Sequence, residues 1–125
     1  MRFKKLGRTG LLVSEICLGT MTFGGGAGMW RAIGSLGEDE ANALMKASFD
    51  AGVNFFDTAD VYSGGESERL LGHAISSLGL PRDEIVVATK ACARISVQVA
   101  ADVPRAEGAE AAGREEAAAI RGVWR

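Results

Sequence analysis

The sequence predicts an α/β fold built on a parallel sheet, and three observations carry that expectation. Short apolar strands recur along residues 1–90, helices with one apolar face separate the later strands, and glycines stand where each helix should stop. With 125 residues the chain is one domain at most.

Each element is justified in turn. Arg2–Leu6 and Leu11–Val13 read as two extended pieces around Gly7-Arg8-Thr9-Gly10, whose glycines suit a tight turn, so a hairpin opens the chain. Glu15–Gly19 is the first apolar strand, with Cys17 inside it as a small buried hydrophobe. Thr20–Gly37 holds too many glycines for a regular element and is expected to be a long loop. A helix starts at Glu38-Asp39-Glu40, where acids favour the dipole, and Ala41, Leu44, Met45 and Phe49 mark its apolar face until Gly52 stops it. Val53–Asp57 is the second strand. Glu66–Leu78 is the second helix, with Leu70, Leu71, Ala74, Ile75 and Leu78 on one face and Gly79 as its stop. Ile85–Thr89 is the third strand.

Strand, helix and strand in succession form βαβ units with right-handed crossovers. Such a sheet is either doubly wound or rolled into a barrel. Gly24, Gly25, Gly26 and Gly28 do not fit the Gly-x-Gly-x-x-Gly spacing of a phosphate-cradling loop after the first strand, and no Gly-Lys-Ser/Thr follows. In a barrel the chemistry lies at the carboxyl ends of the strands. Asp57 and Lys90 close the second and third strands, and Tyr62 lies in the loop between Asp57 and the second helix. A lysine there needs a counter-ion, which Asp57 can supply, and an ammonium beside a phenol helps it part with its proton. Tyr62 is then a candidate general acid for a carbonyl oxygen receiving hydride. The alternative is a structural ion pair beside a loop aromatic.

Composition excludes several other classes. The formal charge of −2 supplies no basic footprint for nucleic acid. No run of roughly 18 apolar residues is present to span a membrane. Two cysteines and one histidine, His73, are too few for a disulfide framework or a structural zinc site. No secretory leader opens the sequence, and the cytoplasm is the expected location.

Longer stretches resemble one family. Gly7-Arg8-Thr9-Gly10-Leu11-Leu12-Val13-Ser14, Leu18-Gly19-Thr20-Met21-Thr22-Phe23-Gly24, Gly52-Val53-Asn54-Phe55-Phe56-Asp57-Thr58-Ala59-Asp60-Val61-Tyr62, Gly65-Glu66-Ser67-Glu68 and Val87-Ala88-Thr89-Lys90 closely resemble the amino-terminal part of the aldo-keto reductases. The likeness covers residues 1–90 and is strongest to bacterial members of the group that also includes the potassium-channel β subunits. It implies the amino-terminal portion of a (β/α)8 barrel, a hairpin plus about three βα units, from a family that reduces aldehydes or ketones with NADP(H). It also implies that Asp57, Tyr62 and Lys90 are three of four catalytic residues, with Tyr62 the proton donor. Gly19, Thr20 and Met21 match the stretch near the nicotinamide, and Trp30 matches an aromatic of the substrate pocket. His73 does not match the family's fourth catalytic residue, a histidine after the fourth strand. Glu66 and Glu68 are most simply explained as favourable charge in a helix's first turn.

After Lys90 the likeness is expected to end. Residues 91–125 hold eleven alanines, five arginines and four glutamates but no histidine. Ile95, Val97 and Val99 alternate as in a strand, Glu107 to Arg121 has helix propensity, and Cys92 has no visible activating base. A truncated or out-of-frame carboxyl end is the expectation. Three strands of a barrel leave unpaired edges and one uncovered face, so self-association is expected. The family holds the cofactor's adenosine phosphate end with its last strands and loops, so the resemblance implies poor cofactor affinity. Two functions remain open, a truncated carbonyl reductase or a non-catalytic partner of a full-length barrel.

Overall fold

The computed structural model describes residues 1–26 and 28–91. Cys92, the alternating Ile95, Val97 and Val99, and the helix expected from Glu107 lie outside the described residues.

Strands β1 (Phe3–Lys5) and β2 (Leu12–Ser14) pair antiparallel as the expected hairpin. Gly7 and Gly10 adopt φ 56° and 84°, the left-handed region that glycine enters without penalty. The Thr9 hydroxyl closes the turn by donating to the Leu6 carbonyl at 2.6 Å. Asn54 fastens the hairpin to the sheet: its Oδ1 accepts from the Ser14 N–H at 2.7 Å, and its Nδ2 donates to the Leu12 carbonyl at 3.1 Å.

The parallel sheet consists of β3 (Leu18–Gly19), β4 (Phe55–Asp57) and β5 (Val86–Ala88), in that order. Leu18 stands opposite Phe56, which stands opposite Val87; Gly19 stands opposite Asp57, which stands opposite Ala88. Because side chains alternate along a strand, Leu18, Phe56 and Val87 share one face and Gly19, Asp57 and Ala88 the other. The first face is covered by α2 (Glu38–Asp50) and α3 (Glu66–Ser77), which bury Ala41, Met45, Leu70, Leu71 and Ala74 with Phe56 and Val87. On the second face Asp57 and Ala88 are half-buried and Gly19 is exposed. The described residues form no closed barrel.

Several expectations need correction. The first strand begins only at Leu18, because Glu15 and Ile16 bond back to the hairpin through the Arg2 carbonyl and the Ser14 hydroxyl. Cys17 is therefore exposed rather than buried in a strand. The glycine-rich loop contains a short helix, α1 (Met29–Ile33), and its ends meet where Phe23 bridges Leu36. Leu44, placed on the apolar face by spacing, is exposed at 38%. Its neighbour Met45, expected on the same face, is fully buried in the core.

Candidate active site

Three residues of the sheet's carboxyl edge converge on one atom. The Lys90 Nζ donates to Asp57 Oδ2 at 2.6 Å, to the Thr58 carbonyl at 2.8 Å and to the Tyr62 hydroxyl oxygen at 3.4 Å. It also lies 5.1 Å from the Tyr62 ring centre. Parallel pairing creates this arrangement: β4 and β5 end side by side, and the backbone continues in register as Thr58 N–H bonds the Ala88 carbonyl and Asp60 N–H bonds the Lys90 carbonyl. Asp57 and Lys90 thus leave adjacent strands at the same height.

Tyr62 begins a 3-10 turn, Tyr62–Gly65, in which Ser63, Gly64 and Gly65 all have positive φ. For Ser63 this conformation costs about 1–2 kcal/mol. The serine hydroxyl offsets part of that by donating to the Phe23 carbonyl at 3.1 Å, which latches the tyrosine's turn to the loop after β3. Trp30 on α1 approaches Tyr62 edge-on, with ring centres 6.2 Å apart. Gly19 and Met21 are exposed at the mouth. Thr20, between them, is fully buried, and its N–H and hydroxyl both reach the Asp57 carbonyl, at 2.9 and 3.2 Å.

Electrostatics match the geometry. The hydrogen bond to the Asp57 carboxylate holds the Lys90 ammonium above its ordinary range; partial desolvation opposes this and the Tyr62 oxygen adds to it. Cys17 is near enough to feel both charges: desolvation and Asp57 push its thiol up while Lys90 pulls it down. A lysine whose folded pKa lies above its unfolded one stabilises the fold fully below the unfolded value of about 10.4, and this contribution fades as pH rises through the folded value. The melting temperature of the wild type is therefore expected to exceed that of Lys90→Met at neutral pH and to converge on it in alkali. Thermal melts across that range would contradict the assignment if the gap widened instead.

Residues unforeseen in the sequence support the site from below. Ser67 is fully buried on the apolar face of α3, one helical step before Leu70 and Leu71, so its spacing was the available signal. Glu68, expected only to complement the helix dipole, accepts a hydrogen bond from the Thr89 hydroxyl beside Lys90. Glu66 instead pairs with Arg69 at 2.9 Å. His73 is exposed and faces Glu38, away from the site. Among the described residues no cluster of His, Cys, Asp and Glu could hold a metal ion, and no helix is long and apolar enough to cross a membrane.

Comparison with known proteins gives a consistent picture. The model of the aldo/keto reductase family matches residues 15–119, which reaches past Lys90. A probable voltage-gated potassium channel subunit beta of Oryza sativa is 45% identical over 91 residues, 72% of this chain and 25% of that protein. An aldo-keto reductase of Alternaria alternata is 44% identical over 89 residues, 70% of this chain and 23% of its own. Among solved structures, the holo form of an aldo-keto reductase from Bacillus halodurans superposes with a TM-score of 0.63 at 31% identity, over 78% of this chain and 28% of that one. The chain thus spans about a quarter of the length of the curated relatives it matches.

Proposed function

Since the chain belongs to the aldo/keto reductase family, we propose that residues 1–90 carry the proton-donating half of an NADPH-dependent carbonyl reductase site. The observation that carries this reading is the convergence of Asp57, Tyr62 and Lys90 on one ammonium. Lys90 donates to the tyrosine oxygen, so the tyrosine's own O–H is left to point at a substrate carbonyl. As that carbonyl becomes an alcohol, Tyr62 gives up its proton, and the Lys90 ammonium stabilises the charge left on the phenol oxygen. Asp57 fixes the ammonium and balances its charge. Trp30, edge-on to the tyrosine, would wall the substrate pocket.

The end of β3 at Gly19 is open. A Cβ built on Gly19 would meet nothing within 4 Å, and this open space lies beside Asp57 on the same sheet face. Gly19 and Met21 would border the ring, while Thr20 contributes by holding Asp57. When bound, NADPH supplies the hydride. A cytoplasmic location accords with that cofactor.

A second reading, a non-catalytic partner of a full-length barrel, has one observation in its favour: a relative is named as a channel subunit. The two readings separate in solution. With three parallel strands described and one sheet face incompletely covered, the chain alone is expected to self-associate and to oxidise no NADPH with aldehydes. Mixed with a fragment supplying the remaining strands of a related reductase, it should gain turnover. Size exclusion and absorbance at the cofactor's band check both, and a mixture that assembles without turnover would favour the partner reading.

A further inference from the structure

We propose that Ser67 is a positioning residue for the Asp57–Lys90 pair, its buried hydroxyl tying the first turn of α3 to the backbone around Asp57. This rests on the reading of Asp57, Tyr62 and Lys90 as the catalytic set and adds to it the device that sets their geometry.

Ser67, Thr20 and Thr58 form a cluster of three buried hydroxyls centred on Ser67. Ser67 Oγ donates to the Thr20 carbonyl at 2.7 Å and lies 2.9 Å from the Thr20 hydroxyl and 3.3 Å from that of Thr58. Its single proton goes to the carbonyl, so it receives from its neighbours. Thr20 in turn holds the Asp57 carbonyl through its N–H, and the one proton of its hydroxyl is shared between that carbonyl and Ser67 Oγ. Thr58 follows Asp57 directly, and its carbonyl is the second acceptor of the Lys90 ammonium. Two of the three groups that orient Lys90 therefore belong to the segment Ser67 grips, Asp57 from β4 and the Thr58 carbonyl just beyond it. The rest of the buried face of α3 is apolar, Leu70, Leu71 and Ala74, so packing alone would be served by alanine at position 67. A hydroxyl there is explained by what it holds. Buried hydroxyls that satisfy one another lock a unique backbone, because breaking any one strands the others. Glu68, the next residue of the same turn, accepts from Thr89 and steadies the strand that delivers Lys90.

Competitive trace acetylation of the intact 125-residue chain tests this, since it reads each lysine's titration whatever the association state. Lys90 is compared by peptide mass spectrometry with Lys5, an exposed lysine with no acid partner among the described residues, and with Lys46, which pairs with Asp50 on α2. Wild-type Lys90, held charged by Asp57, should label more slowly than Lys5. In Ser67→Ala it should become about threefold more reactive near pH 9, while Lys46 is unchanged. A purely structural role would lower the melting temperature and leave the Lys90 titration in place. Protection of Lys90 that persists in folded Ser67→Ala overturns the proposal. Wild-type Lys90 that labels like Lys5 instead overturns the underlying reading of the site. Should Ser67→Ala not fold, the isosteric Thr58→Val removes one member of the cluster with the same expected direction, and unchanged labelling there also overturns the proposal.

Discussion

Tyr62→Phe, placed in a complete barrel made by joining residues 1–90 to the remaining strands of a related reductase, is expected to lower kcat for aldehyde reduction by about 10²–10⁴-fold. The substitution removes one oxygen and leaves the ring, so the edge-on contact with Trp30 survives. It also removes an acceptor of the Lys90 ammonium without touching the stronger bonds to Asp57 and the Thr58 carbonyl. NADPH affinity should therefore stay within a few-fold of the parent. Steady-state kinetics with cofactor binding by fluorescence check this. A variant that keeps parental turnover would remove Tyr62 from the chemistry, and one that loses NADPH binding instead would make it a cofactor contact.

The largest effect on stability is expected at Phe56. Its side chain is fully buried at the centre of the parallel sheet, between Leu18 and Val87 in register and beneath both long helices. Truncation to alanine removes the buried ring and leaves a cavity, which costs about 3–5 kcal/mol. Small domains have only about 5–15 kcal/mol in total, so Phe56→Ala should abolish cooperative unfolding or move its urea midpoint far down. Leu44→Ala is the contrast, because Leu44 lies on the outer side of α2 at 38% exposure. Its midpoint should barely move. Equal losses in the two variants, followed by far-ultraviolet circular dichroism, would mean that the core is not centred on the sheet.

The hairpin and both long helices were legible in the sequence because their signals are local. Glycines flank the turn, acids open each helix, and apolar residues recur at helical spacing. Strand ends were less legible, since neighbours compete for the same backbone groups. Val53 N–H, expected in a strand, bonds the Ser48 carbonyl at the end of α2 instead. Helix α1 was not legible at all. No side chain caps it, glycines flank it, and it is held by tertiary contacts such as the Phe23–Leu36 bridge and the Trp30–Tyr62 contact.

The site divides in the same way. Asp57 and Lys90 stood out as charged groups at strand ends and Tyr62 as a phenol in the loop after Asp57, and the structure brings them together. Gly19, Met21 and Trp30 are found at the same mouth, whereas Thr20 turns inward to hold Asp57. Helical spacing puts Ser67 on the buried face of α3, but neither it nor Thr58 was legible as a site residue, because a buried serine or threonine looks in sequence like any other small polar residue. Only the fold shows three hydroxyls meeting under one aspartate. Cys17 misled for the opposite reason, an apolar-looking position that borders the hairpin and faces solvent.

The central claim, that residues 1–90 hold a working proton-donor site, is tested most directly by turnover of the joined barrel itself. The measurement is NADPH oxidation with a broad aldehyde substrate, matched against loss of the aldehyde. The account predicts one cofactor oxidised for each carbonyl reduced. A joined barrel that folds and binds NADPH yet leaves the aldehyde untouched would contradict it.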